Sequence, residues 1–151
     1  MRQADRNDVA IVRSLTRSAY AKWVPIVGRE PKPMTADYER AIELHRIDLL
    51  MAGTEVVALI EVVCEPGCLF IENVAVEPRH QGKGYGRLLL AHAEELAKST
   101  GCTSIRLYTN RLMLANIELY SRLGYTIDGE EELPHGTVVY MSKPLMEIRS
   151  R

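Results

Sequence analysis

A chain of 151 residues carrying 19 Lys and Arg against 20 Asp and Glu is long enough to bury a core of its own. It is also too evenly charged to advertise a nucleic-acid or membrane-surface partner, so a small ligand is the better expectation. Three cysteines, Cys64, Cys68 and Cys102, are odd in number and lack CxxC spacing, which argues against a disulfide framework and a zinc site, and no metal is expected. The first residues carry no apolar run of signal-peptide length, and no segment approaches the ~18 uninterrupted apolar residues of a membrane span. One soluble, cytoplasmic domain over residues 1–151 is expected, without internal repeats.

Asp5 followed by Asp8 marks a helix start, and Ile11, Val12, Leu15, Ala19 and Trp23 then recur at helical spacing, predicting a helix from about Asp5 to Lys22. Pro25, Gly28, Pro31 and Pro33 predict a loop from Val24 to Met34, and a short helix follows from about Thr35 to Leu44. Ile47 to Met51 and Glu55 to Cys64 are rich in aliphatic residues around the turn Ala52-Gly53-Thr54, a hairpin pattern. Glu65-Pro66-Gly67 turns the chain again, so that Cys68 to Val76 forms a third antiparallel strand ending at Glu77-Pro78. Beyond the glycines, Leu88, Leu89, Ala93, Leu96 and Ala97 line one face of a helix closed by Gly101. Ser104 to Thr109 reads as a buried strand and Met113 to Leu123 as a helix stopping at Gly124. Tyr125 to Glu132 and Thr137 to Ser142 make a last hairpin. The order predicts an α/β domain, a mixed and mostly antiparallel sheet flanked by about four helices.

The strand, the turn Gln81-Gly82-Lys83-Gly84-Tyr85-Gly86 and the amphipathic helix after it form a specific arrangement. A helix N-terminus presents unpaired N–H groups and about half a positive charge, and glycines let the backbone approach an anion closely. The turn suits phosphate oxygens, with Lys83 and Arg87 adding charge at its rim. Its GxGxG spacing after an antiparallel strand fits neither GxxxxGK[ST] nor a GxGxxG within a parallel βαβ unit. The alternative is a glycine-rich connection without a ligand.

The run Val74-Ala75-Val76-Glu77-Pro78-Arg79-His80-Gln81-Gly82-Lys83-Gly84-Tyr85-Gly86-Arg87-Leu88-Leu89 resembles the acetyl-CoA signature of the GNAT superfamily of N-acetyltransferases. A second stretch, Asn116-Ile117-Glu118-Leu119-Tyr120-Ser121-Arg122-Leu123-Gly124-Tyr125, is similar to that family's later motif, a helix bearing a tyrosine and ending in Gly-Phe or Gly-Tyr. The resemblance implies a GNAT-like fold and acetyl-CoA as cofactor. The pantetheine arm would be bonded along Val74, Ala75 and Val76, and the pyrophosphate held by backbone amides from Gln81 through Gly82, Lys83, Gly84, Tyr85 and Gly86 to Arg87. Where related sequences often carry Asn and Ala, seven and four residues before the tyrosine, this chain has Met113 and Asn116. Asn116 would take over the cofactor contact one turn later, or Asn110 would, unless it merely begins its turn.

Acetyl transfer from a thioester to an amine needs a deprotonated amine, donors to the developing oxyanion and a proton for the departing thiolate. Tyr120 matches the family's tyrosine and is the expected general acid, an ordinary tyrosine being protonated at neutral pH; otherwise it is a core aromatic. The Val74 N–H is the expected oxyanion donor. Glu72 is the candidate base, unless it is a surface glutamate, and alternation places it on one face with Val74 and Val76 unless a bulge intervenes. His135 is a weaker candidate in the last hairpin.

Selectivity is expected in the segment holding Tyr20, Trp23, Pro25, Ile26, Pro33, Met34 and Tyr38, either as an acceptor wall or as a cap on the sheet. Glu130-Glu131-Glu132 either attracts a cationic amine or is a solvated strand end. The resulting expectation is transfer of acetyl from acetyl-CoA to a primary amine, of a small molecule or a peptide, within a ternary complex. The alternatives are a non-catalytic acyl-CoA-binding module and a transferase acting on protein N-termini. Homodimers are common in the family the chain resembles.

Overall fold

The computed structural model describes residues 1–134 and 136–145. Its first strand, β1 (Arg2–Gln3), pairs with the second; two residues are too few to show a periodicity, so nothing in the sequence announced it. The predicted helix start is present. The Asp5 side chain accepts the Asn7 N–H at 2.8 Å and Asp8 accepts the Asp5 N–H at 2.9 Å, a reciprocal cap that leads through a 3₁₀ turn into α1 (Val9–Tyr20).

Asp8 also takes both terminal nitrogens of Arg2, at 2.9 and 2.8 Å, tying β1 to the start of α1. Those bonds from Arg2 hold the Asp8 carboxyl below the ordinary carboxylate range. The stability this lends is complete above the unfolded pKa and is lost as pH falls through the lowered folded value. Asp8→Asn keeps an acceptor for the Asp5 N–H and loses only the pair with a half-exposed guanidinium, so it is expected to cost about 0.5–1 kcal/mol at pH 7. The gap from the parent should narrow below about pH 4, which urea titrations at both pH values would read; an equal gap at both would contradict the assignment.

The predicted loop from Val24 to Met34 instead holds two single helical turns, α2 (Val24–Val27) and α3 (Lys32–Thr35). Pro25 and Pro33 occupy first-turn positions, where a missing N–H costs nothing, and Gly28 closes α2 at a φ of 88°. The next helix, α4 (Tyr38–Leu44), begins later than predicted because Asp37 caps it, accepting the Arg40 N–H at 3.2 Å.

The strands β2 (Arg46–Ala52), β3 (Glu55–Glu65) and β4 (Cys68–Val76) form the predicted meander. They are followed by α5 (Tyr85–Ser99), β5 (Ser104–Asn110), α6 (Leu114–Arg122), β6 (Thr126–Leu133) and β7 (Gly136–Pro144). The sheet runs β1-β2-β3-β4-β5-β7-β6, antiparallel except for β4 beside β5. Val12, Leu15 and Ala19 of α1 and Tyr38 and Ala41 of α4 bury against Ile47, Leu49, Leu59 and Ala75 on one face. Leu89, Leu90, Ala93 and Ala97 of α5, with Tyr120 of α6, bury against Ile60, Ile71, Ile105 and Met141 on the other. Among the described residues no helix is long and apolar enough to cross a membrane.

The feature that positions the site is the short pairing of β4 with β5, which stops at Ile71 and Leu107. Beyond it the two halves of the sheet part. The last five residues of β4 therefore keep one neighbour, β3, and an open edge.

Candidate active site

The open part of β4 begins with a bulge. Glu61 lies opposite Asn73 but Val62 opposite Ile71, which leaves Glu72 as the extra residue. A bulge carries two successive side chains past a single partner and shifts the alternation beyond it. The sharing of one face by Glu72, Val74 and Val76 that simple alternation predicts is thereby broken. Val74 and Val76 pack on the α5 side with Ile71, whereas Ala75 belongs to the α1 side. Asn73 points the same way as Ala75, its Nδ2 donating to Thr16 Oγ1 and Tyr38 Oη at 3.2 Å each. Glu72 lines a cavity of about 870 Å³ together with Phe70, Tyr20 and Tyr120.

The backbone of the open edge has a definite direction. Glu77 donates its N–H to Val57 O at 2.9 Å. In an antiparallel ladder hydrogen-bonded pairs alternate, so Asn73 and Ala75 also turn their peptide groups to β3. Val74 and Val76 turn theirs into the gap. Their carbonyls are met there by side chains: Tyr20 Oη donates to Val74 O at 3.2 Å and Gln81 Nε2 to Val76 O at 3.0 Å. Ala75, grouped with them in the sequence motif, faces away on both counts, with its peptide toward β3 and its methyl in the α1-side core.

The glycine turn continues that edge. Gly82 and Gly84 sit at φ 80° and 85°, where a side chain would be strained, and a Cβ built on either meets nothing within 4 Å. Helix α5 has no side-chain cap, and its first bond runs from Leu88 N–H to Gly84 O at 3.1 Å. The N–H groups of Tyr85, Gly86 and Arg87 thus open toward solvent at the positive end of the helix, an anion cradle. Lys83 and Arg87 are exposed beside it. Gln81 plays another part: its N–H goes to Pro78 O at 3.3 Å, and its side chain spans Val76 O and Lys22 Nζ, the latter at 2.8 Å. These bonds fasten the turn to β4 and to Lys22, just past α1. Gly86 faces α6, where a Cβ would make an ordinary contact with Leu119 at 3.8 Å.

Asn116 and Tyr120, one turn apart on α6, line both the large cavity and a smaller one of about 110 Å³ that also touches Val74, Val76, Gln81 and Gly86. Tyr120 therefore stands at the junction of the edge, the glycine turn and the large cavity. Burial pushes its hydroxyl up to about 12. Met113 is core, its sulfur taking the Thr109 hydroxyl at 3.8 Å. Asn110 begins its turn, accepting the Leu112 N–H at 2.9 Å.

Of the selectivity segment, Tyr20 and Pro33 line the large cavity and Trp23 the small one, while Met34 and Tyr38 are core. The hydrogen bond that Tyr20 makes to the open strand was invisible in the sequence, where this tyrosine was a candidate for the acceptor wall or a cap on the sheet. Glu130, Glu131 and Glu132 are a solvated strand, Glu131 accepting from Tyr140 Oη at 2.7 Å. His135 lies outside the described residues. Glu55, Glu77 and His80 approach closely enough to hold a cation, but Arg79 already stands among them, 2.8 Å from Glu77 and 3.8 Å from Glu55.

The sequence profile of the acetyltransferase (GNAT) family matches residues 12–125. The chain belongs to that family. The matched stretch contains the open strand, the glycine turn and Tyr120. Over 83 residues the chain is 35% identical to the streptothricin acetyltransferase of Streptomyces lavendulae, covering 50% of this chain and 44% of that protein. Over 68 residues it is 35% identical to the [ribosomal protein bS18]-alanine N-acetyltransferase of Salmonella typhimurium, 45% of each. The matches thus span less than half the length of either relative. Among solved structures, the PaiA N-acetyltransferase of Thermoplasma acidophilum in complex with coenzyme A shares the GNAT fold at a TM-score of 0.76 and 17% identity, over 95% of this chain and 96% of that one.

Proposed function

We propose that this GNAT chain is an N-acetyltransferase that carries the acetyl group of acetyl-CoA to a primary amine, by direct transfer with both substrates bound. The observation that carries the reading is one continuous edge. Outward peptide groups at Val74 and Val76 lead into the unpaired N–H groups of Tyr85 to Arg87, and Tyr120 stands beside the join. The fit to acetyl-CoA rests on an open anion cradle at one end of that edge and a roomy cavity at the other. The curated relatives, which act on streptothricin and on a ribosomal-protein alanine, support an amine acceptor.

In this reading the Val74 and Val76 edge holds the pantetheine arm, and the amides from Gly82 to Arg87 with Lys83 and Arg87 hold the pyrophosphate. Asn116 lies against the arm from α6. Bound acetyl-CoA supplies an activated acyl group and a thiolate leaving group. The acceptor, arriving as an ammonium with three N–H, would lose one proton to Glu72, directly or through water. The neutral amine would then bond the acetyl carbon as the C–S bond breaks, and a second proton would pass from the nitrogen to the freed thiolate, leaving one N–H on the amide. The Val74 N–H donates to the acyl oxygen. Tyr120, with a hydroxyl at about 12, would stay protonated and donate a hydrogen bond toward the sulfur, thiols being more acidic than this hydroxyl, as cysteine's ~8.5 illustrates. That order of acidity makes Tyr120 a donor that is never left ionised.

The test is release of free thiol from acetyl-CoA by purified protein with a panel of amines including peptide N-termini. Turnover with some members is expected. Tight cofactor binding without thiol from any amine would instead assign the chain as an acyl-CoA-binding module.

A further inference from the structure

The wall of the large cavity carries opposite charges that do not meet. Glu30 is taken by Arg17 at 2.6 Å, and Glu61, behind the bulge, is held by His45 at 2.6 Å. Glu72 on the β4 bulge, Lys32 at the start of α3 and Arg29 just before it all line the cavity. Among the described residues these three form no ion pair. Lys32 Nζ stands 5.6 Å from the ring centre of Tyr108, and that ring continues to Phe70 at 5.8 Å and Tyr140 at 6.4 Å, an aromatic floor laid across β4, β5 and β7. Tyr108 first, and then Glu72 and Glu61, hold the Lys32 ammonium above the ordinary lysine range. Lys32 and Glu72 therefore sense each other's field across the cavity without touching.

Two separated, uncompensated charges favour a guest that brings the opposite charge to each of them. Glu72 is two residues from Val74 and shares the cavity with Tyr120, so the reacting amine belongs at its end. Arg29 and Lys32 lie on the cavity-lining stretch between α2 and α3 and at the start of α3, where a polycationic acceptor would set like charges together and a neutral one would leave both cations unmatched. We propose that the acceptor is a small amine that also bears an anionic group, an amino-acid-like molecule with its amine toward Glu72 and its anion toward Lys32 and Arg29, lying over the Phe70, Tyr108 and Tyr140 rings. This inference rests on the acetyltransferase reading and names the substrate class for its site.

The test uses matched triplets of amino acid, amino-acid amide and decarboxylated amine, spanning aromatic, aliphatic and acidic side chains, with aminophosphonates as a second kind of anion. Thiol release gives kcat/KM, and calorimetry with coenzyme A present gives acceptor binding. The anionic members are expected to be favoured about tenfold or more over their amides, a charge-assisted contact being worth at least that. Lys32→Glu, a change at an exposed site, should abolish or reverse the preference while leaving acetyl-CoA affinity unchanged. A preference for aminophosphonates over carboxylates would keep the anion and assign it to phosphorus. Equal kcat/KM within the triplets, or a preference indifferent to Lys32→Glu, overturns the inference and leaves acetyl transfer standing. No thiol from any amine overturns both.

Discussion

Tyr120→Phe is expected to lower thiol release roughly 100- to 1,000-fold, the range for loss of a positioned hydrogen-bond donor to developing negative charge, while the acetyl-CoA Kd stays within about twofold. The ring itself is retained, buried and 5.9 Å from the Tyr125 ring, so the α6 packing that shapes the gap survives the change. Because burial pushes the hydroxyl up to about 12, the parent remains protonated across the working range. The ratio of parent to variant rates should accordingly be flat between about pH 6 and pH 10. A defect that disappeared toward alkaline pH would mean an acid with a lower pKa, and another residue. Unchanged turnover would remove Tyr120 from the role, and an equal loss of binding and turnover would make it a structural residue.

Gly84→Glu is expected to weaken acetyl-CoA binding about 100-fold or more. Two effects act together. At a φ of 85° any Cβ strains the backbone by about 1–2 kcal/mol, although space around the position is open. The new carboxylate would also compete for the same unpaired N–H groups of α5 and repel phosphate. Gly84→Ala separates these effects, since it carries the strain without the charge. It should lose about 1–2 kcal/mol of stability and far less affinity, as measured by calorimetry alongside urea titration. Undiminished binding in Gly84→Glu would contradict the placement of the pyrophosphate on this turn.

The parts of the site that the sequence made legible are those written in contiguous residues. Turn signals at Glu65-Pro66-Gly67 and Glu77-Pro78 bounded β4 at the residues where it runs, and the glycine spacing marked the cradle. Of the predicted stripe, Leu89, Ala93 and Ala97 are buried with Leu96 packed beside them and orient α5, whereas Leu88 is exposed, one position off the buried face. The single turns among the prolines went unread because one turn has no periodicity. The bulge did as well, because β4 alternates between buried and half-buried residues along its whole length, and only the register against β3 reveals the extra residue at Glu72. Gln81 belongs to the motif by position, yet its side chain is spent on Val76 O and Lys22, a partner 59 residues away.

What the sequence determined by itself is the kind of fold, the order of its longer elements, the glycine turn and a tyrosine downstream, since each is encoded in local spacing and in the chemistry of neighbouring residues. The parting of β4 from β5, the facing of Glu72 away from Val74, the meeting of Tyr20 and Tyr120 at one edge and the standing of Lys32 across the cavity from Glu72 were decided only in the tertiary structure. They depend on which strand pairs with which and where that pairing stops. Register and pairing are settled by packing between residues far apart in the chain, and no local pattern records them.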